Sequence, residues 1–263
     1  MKAYRCALIT GASSGLGAEF ARQLAGRCQL LVLTARRETL LERLADGLRG
    51  AHPSLEVVTV AADITDPADR QRILAACGAC APDLLVNNAG MGDYGDFTEA
   101  KWSKLEAMLR LNVEALTAMS HAVAPRMIAH GGGDMIQVSS LASLLPIPDF
   151  AVYAATKAYV SSFSEALRIE LREHGIRVTA LCPGPVHTGF GEVAARDGKK
   201  NKDLPMREWS YVDASTVVSE ALDGVELDRP RVYPGLKIAA AAALLSLLPL
   251  ALIRLAMSSR PRR

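Results

Sequence analysis

Along the chain, short apolar runs alternate with longer stretches in which apolar positions recur every three or four residues. The runs Cys6–Thr10, Leu30–Thr34, Val57–Ala61, Leu84–Asn87, Met135–Ser139 and Val178–Cys182 predict six strands, with Arg231–Tyr233 a short seventh. The periodic stretches predict helices over Gly15–Ala25, Glu38–Leu48, Ala68–Ala76, Trp102–Ala129, Tyr153–His174 and Asp213–Asp223. Ser210 and Asp213 read as a capping box for the last of these. The strand runs are nearly continuous in apolar residues rather than alternating, as when helices cover both faces of a sheet. Repeated strand–helix alternation implies right-handed crossovers and a parallel sheet. No Pro-, Gly- or Ser-rich linker divides the chain. The pattern therefore predicts one doubly wound α/β domain over residues 1–235, followed by an apolar and basic helical extension over 236–263. Thr188–Glu208 lacks periodicity and predicts a loop or short helix.

Half of the 263 residues are hydrophobic, which supplies a core and excludes a disordered chain. Thirty basic against 28 acidic side chains leave a net charge of +2, with no nucleic-acid signature. Five cysteines are too sparse for a disulfide scaffold and favour reduced thiols in a cytoplasmic setting. Met1–Arg5 runs straight into a strand without the apolar core and cleavage site of a signal peptide. Cys77-Gly78-Ala79-Cys80 is a lone pair with no second pair to complete a zinc site, so no metal is expected.

Between the first strand and first helix lies Thr10-Gly11-Ala12-Ser13-Ser14-Gly15-Leu16-Gly17. Glycines at 11, 15 and 17 permit a tight turn and let backbone N–H groups approach a pyrophosphate at the helix N-terminus. This spacing and the motifs that follow resemble the short-chain dehydrogenase/reductase family in its compact form, over roughly Ala3 to Gly235. Asn87-Asn88-Ala89-Gly90 after the fourth strand resembles the family's N-N-A-G. Asp63, with Ile64, follows the third strand where the family places an adenine contact. Pro183-Gly184-Pro185-Val186-His187-Thr188 looks like the P-G-x-V-x-T segment that holds the carboxamide of a nicotinamide, a role that falls to Val186 and Thr188. The resemblance thus implies a Rossmann-like fold. It places cofactor contacts at Gly11, Ser13, Ser14, Gly15, Leu16, Gly17, Asp63, Ile64, Asn88, Ala89, Gly90, Pro183, Gly184, Val186 and Thr188.

The second strand ends Thr34-Ala35-Arg36-Arg37, with no acid to bond the ribose hydroxyls of NAD. A guanidinium pairs with phosphate through two parallel hydrogen bonds. Arg36, helped by Arg37 or Ser14, is therefore expected to bind the 2′-phosphate of NADP(H).

Tyr153 and Lys157 stand four residues apart and so share one helix face. A neighbouring ammonium favours the phenolate and tunes it toward general acid–base chemistry. By resemblance, both also contact the cofactor, and Lys157 bonds the nicotinamide ribose. The resemblance assigns Ser140, 13 residues before Tyr153, to the substrate carbonyl, with Ser139 the adjacent alternative. It also implies that Asn112 holds a water linking Lys157 to solvent. His187 flanks the site. Asp93-Tyr94-Gly95-Asp96 either lines the substrate mouth or is a polar loop. Gln137, Ser143 and Thr156 depart from frequent family residues without touching the Asn112–Ser140–Tyr153–Lys157 set. Specificity is expected in Leu144–Phe150 and Phe190–Tyr211.

The expected activity is interconversion of a hydrophobic ketone or aldehyde and its alcohol by hydride transfer with NADP(H). The alternatives are a 3-oxoacyl-thioester or steroid-type reductase of the same family, or a non-catalytic nucleotide-binding protein. The resemblance also implies a homo-oligomer built through the helices around Asn112 and Tyr153. Ile238–Ile253 is an uncharged run of sixteen residues containing Pro249 and followed by Arg254, Arg260, Arg262 and Arg263. Three readings of it stand: a short transmembrane span, packing over the cleft or a neighbouring subunit, and peripheral attachment to an anionic membrane surface.

Overall fold

The computed structural model describes residues 2–78, 81–194, 196 and 211–258. Seven parallel strands form one sheet: β1 Tyr4–Thr10, β2 Cys28–Ala35, β3 Glu56–Ala61, β4 Leu84–Asn87, β5 Gly133–Val138, β6 Ile176–Leu181 and β7 Arg231–Val232. Their order is β3-β2-β1-β4-β5-β6-β7, so the winding reverses between β1 and β4. The crevice at that switch point, outside the C-terminal strand ends, is where such sheets bind ligands.

Successive residues of each strand feed opposite layers. Ala7 and Ile9 of β1 pack against α1 (Gly15–Leu24), α2 (Glu38–Ala51) and α8 (Ala214–Glu226), through Phe20, Leu41 and Val217 among others. Cys6 and Leu8 pack against α3 (Pro67–Ala76) and α5 (Leu116–Ala129), through Ile73, Met119 and Val123. Burial on both faces explains why the strands read as continuous apolar runs.

The long helix expected over Trp102–Ala129 is present but interrupted. α4 spans Trp102–Leu109, and a π-helical turn over Arg110–Ala115 carries the chain into α5. α6 runs Ala151–Leu171. α8 is capped at Asp213 without a side-chain hydrogen bond, and the expected partner Ser210 lies outside the described residues. Most of the aperiodic stretch Thr188–Glu208 also lies outside them; the part described includes α7, Phe190–Ala194.

The C-terminal expectation is corrected. There is no single apolar helical extension: Leu248 leaves the helical conformation before Pro249, and the run splits into α9 (Leu236–Leu247) and α10 (Leu250–Ser258). A proline disfavours helix in the residue before it. At 12 and 9 residues, neither piece approaches the roughly 20 that a bilayer requires. Among the described residues no helix is long and apolar enough to cross a membrane. Ile238, Ala242 and Ile253 are buried in the protein instead, and α9 packs on the turn Leu141–Leu144. Of the three readings, the transmembrane span and the peripheral membrane contact, with the membrane-associated location it would imply, are corrected in favour of packing against the protein.

Candidate active site

The turn after β1 is a backbone-to-backbone junction. Gly11 has φ +67°, and a Cβ on Gly17 would lie 2.3 Å from the Gly11 carbonyl oxygen and 2.5 Å from Asn88 Nδ2. Only glycine fits there. Asn88 Nδ2 donates to the carbonyls of Thr10 (2.9 Å) and Gly11 (3.2 Å). Thr10 Oγ1 accepts from the amides of Asn88 and Ala89, both at 3.0 Å, which ties β1 to the N-N-A-G segment. Leu16 packs on the core beneath α1.

Ser14 precedes α1, but its side chain does not cap the helix. Its hydroxyl accepts from Arg37 Nη2 at 2.6 Å, and the same nitrogen donates to Ser13 Oγ at 3.0 Å. Arg37, not Arg36, thus reaches over the serine pair, while Arg36 is exposed beside it. A helix start without a side-chain cap, a glycine cradle and a guanidinium together fit the phosphates of a dinucleotide.

Asp63 Oδ1 accepts from Thr65 N (2.9 Å) and Oγ1 (2.7 Å), which fixes the turn after β3 beside buried Ile64. The segment after β6 crosses back to the glycine turn. The Leu141 amide donates to the Pro183 carbonyl at 2.9 Å, and Val186 bridges Val212. The Thr188 side chain sits against Gly15, and Ile238 covers Gly184. His187 stacks on Tyr211 with ring centres 4.2 Å apart. Cys77 is a buried free thiol; Cys80 lies outside the described residues.

At the other end of the crevice, Tyr153 and Lys157 are both buried, at 7% and 4% exposure. Ser140 neighbours the Tyr153 phenol and acts to lower its pKa. Ser140 Oγ accepts from the Ala142 amide at 3.1 Å. Lys157 Nζ donates to the Val138 carbonyl at 2.8 Å and lies 5.7 Å from the centre of the Tyr153 ring. Burial pushes the Tyr153 phenol up to about 12, against partial relief from Ser140. Burial pushes Lys157 down to about 8. The expected lowering of the phenol by the ammonium is not seen: desolvation dominates, and the opposing influence comes from Ser140.

Ser139, the adjacent alternative, is buried and faces away: its hydroxyl donates to the Lys157 carbonyl and meets Ser161 Oγ, each at 2.8 Å. Asn112 stands in the π-helical turn. Its Oδ1 accepts from the Met91 amide and its Nδ2 donates to the Met91 carbonyl, both at 2.9 Å. Nδ2 also reaches Thr156 Oγ1 at 3.1 Å. The Asn112 side chain thus clamps the loop after Gly90 to α6. Gln137 closes a buried network with Asn87 and Ser120 at 3.0 and 2.9 Å.

Sequence reasoning placed Phe150 and Phe190 only within broad specificity segments. In the structure they flank the Tyr153 ring, at centroid distances of 4.3 and 5.3 Å. Tyr94 meets Phe150 edge-on at 5.8 Å. No spacing rule connects aromatics from three separate segments; the signals were the position of Phe150 and Phe190 before and after Tyr153 and the place of Tyr94 in the segment after N-N-A-G.

The family model described as short chain dehydrogenase matches residues 5–198. The chain belongs to the short-chain dehydrogenase family. As a member it is an oxidoreductase with a nicotinamide-dinucleotide site, interconverting carbonyls and alcohols. An uncharacterized oxidoreductase of Myxococcus xanthus is 38% identical over 183 residues, covering 69% of this chain and 72% of the relative. A short-chain dehydrogenase from Sphingobium yanoikuyae, solved with NADPH, is 32% identical with a TM-score of 0.80, covering 98% of this chain and 97% of that one. The bulky-bulky ketone specific alcohol dehydrogenase of Comamonas testosteroni is 29% identical with a TM-score of 0.77, covering 98% and 95%.

Proposed function

We propose that this short-chain dehydrogenase reduces a bulky, apolar ketone or aldehyde with NADPH, with Tyr153 as general acid, and oxidises the alcohol in reverse with Tyr153 as base. The carrying observation is the buried Tyr153 ring, enclosed by Phe150 and Phe190, with Lys157 5.7 Å from its centre and Ser140 beside the phenol. When bound, the reduced nicotinamide supplies the hydride. Ser140 donates a hydrogen bond to the carbonyl oxygen and stabilises the charge that develops there. The phenol of Tyr153, kept protonated well above neutral pH by burial, gives that oxygen its proton. Lys157, fixed by the Val138 carbonyl, places a positive charge beside the phenolate that forms. Asn112 holds the Met91 loop against α6 so that these groups keep their places. The aromatic wall favours apolar substituents on the carbonyl, in line with the ketone preference in the name of the Comamonas testosteroni relative.

Preference for NADPH rests on Arg36 and Arg37 at the end of β2, where no carboxylate stands to bond a ribose, and on the Arg37–Ser13–Ser14 cluster. Residues 1–235 form the catalytic unit in this reading, and the chain after them covers it through Ile238. The test is oxidation of NADPH and of NADH with a panel of aryl, alkyl and cyclic ketones and aldehydes, followed by near-ultraviolet absorbance. NADPH consumption with bulky carbonyls is expected; no consumption with any of them would overturn the reading.

A further inference from the structure

Asp93 lies beyond the catalytic set, in the loop after β4, and is 4% exposed. Its carboxylate is gripped by Arg196: Nε donates to Oδ1 at 3.1 Å and Nη2 to Oδ2 at 2.7 Å. Lys104 Nζ stands 3.2 Å from Oδ1. The same guanidinium donates to the carbonyls of Asp96 (2.7 Å) and Gly95 (3.3 Å), so one side chain embraces the whole loop. Gly95 has φ +139°, and a Cβ there would come within 2.9 Å of Arg196 Nη1. At Gly92 a Cβ would come within 2.8 Å of the Phe190 ring and 3.2 Å of the Ala194 methyl. Both glycines leave room for Phe190, Ala194 and Arg196 to lie close on the loop. The Tyr94 amide donates to the Ala194 carbonyl at 3.0 Å.

α7 has only five residues, too few to hold itself as a helix in water. These contacts hold its C-terminal end, while the Phe190 ring and amide are held by Tyr153 and Thr188 at the other. Its N-terminal residue is Phe190, the ring beside Tyr153. A bidentate guanidinium–carboxylate pair gives geometric definition, and breaking such a pair leaves a buried charge without its partner. The pair therefore acts as a catch, either made or released. Burial pushes the Asp93 carboxyl up, but the bonds from Arg196 and Lys104 more than reverse it, so the group stays charged in the catch.

We propose that Asp93 and Arg196 form a latch that fastens α7 over Tyr153, so that the pair are positioning residues which set the apolar wall met by the substrate. The consequence for turnover rests on the carbonyl-reductase reading; the latch itself does not. Two measurements on the full chain keep these apart. The first is amide hydrogen exchange without added substrate or cofactor. Arg196→Ala and Asp93→Asn should each speed exchange of the Tyr94 amide and of the 190–194 amides about tenfold or more. Exchange in β1 and β5 should be unchanged, and Arg196→Lys should fall between. Unchanged exchange at Tyr94 in Arg196→Ala, or an equal rise throughout the sheet, would overturn the latch. The second is steady-state kinetics with a bulky aryl ketone and with acetone. Arg196→Ala should raise KM for the aryl ketone about tenfold, with kcat changed less than about threefold and the KM for acetone less than about twofold. An equal rise for both ketones, or a loss confined to kcat, would overturn the positioning role. Should no ketone be turned over, the functional reading fails, and the exchange result still decides the latch.

Discussion

The ring of Phe150 lies 4.3 Å from that of Tyr153 at an interplanar angle of 28°, so an apolar plate covers one face of the phenol. Phe150 is 7% exposed and belongs to the small cluster with Leu105, Met108 and Ala194. Phe150→Ala should cost about 3 kcal/mol of stability, within the range for a buried aromatic. It should also raise KM for aryl ketones more than for small ones. Urea unfolding and a comparison of the two KM values check this.

Lys157 makes stability depend on pH. Its native value of about 8 lies below the ordinary 10.5. Between these values the unfolded chain binds a proton that the native state has released. Stability therefore rises with pH across that window, by at most about 1.4 kcal/mol per unit. Below pH 8 both states are charged, and the buried ammonium costs its full penalty. Lys157→Met should be inactive, more stable at pH 7, and without this rise. Unfolding at pH 7 and pH 9.5 measures it; an unchanged pH slope in the variant would contradict the burial argument.

Arg37 and Arg36 divide the cofactor prediction. Because Arg37 bonds Ser13 and Ser14, Arg37→Ala should weaken NADPH by roughly ten- to a hundredfold, the worth of a charge-assisted hydrogen bond of about 1.5–3 kcal/mol. Arg36→Ala should weaken it less. Neither should alter NADH binding by more than about twofold. Titration by cofactor fluorescence reads all four constants.

Ile238 tests the corrected tail. It is 4% exposed and covers Gly184 beside the site. Ile238→Ala should lower stability by about 2–3 kcal/mol and weaken cofactor binding, because the segment after β6 loses its cover. Leu247→Ala, at a residue 82% exposed, should change neither. Thermal unfolding and the cofactor titration would separate the two.

The sheet was legible because each strand carries an apolar side chain on both faces, as Ala7 and Cys6 do in opposite layers. The four site motifs were legible because each stands at a strand's C-terminal end, and a parallel sheet brings all those ends to one edge. The π-helical turn at Asn112 was not, since the side-chain bonds of Asn112 run to Met91 and Thr156, the latter 44 residues away. Nor was the catch, whose partners Asp93 and Arg196 are 103 residues apart in polar loops. Arg36 and Arg37 are neighbours in sequence, and only the turn of the chain out of β2 decides which one faces the serines. In the tail, Pro249 stands at the break between α9 and α10, but composition could not say that Ile238 and Ala242 face inward.

The central claim is that Tyr153 protonates the carbonyl oxygen. Tyr153→Phe removes the hydroxyl and keeps the ring between Phe150 and Phe190. With a ketone that the wild-type enzyme reduces, kcat for NADPH oxidation should fall on the order of a hundredfold or more, while the Kd for NADPH stays within about threefold. A Tyr153→Phe enzyme with near-wild-type kcat would contradict the account.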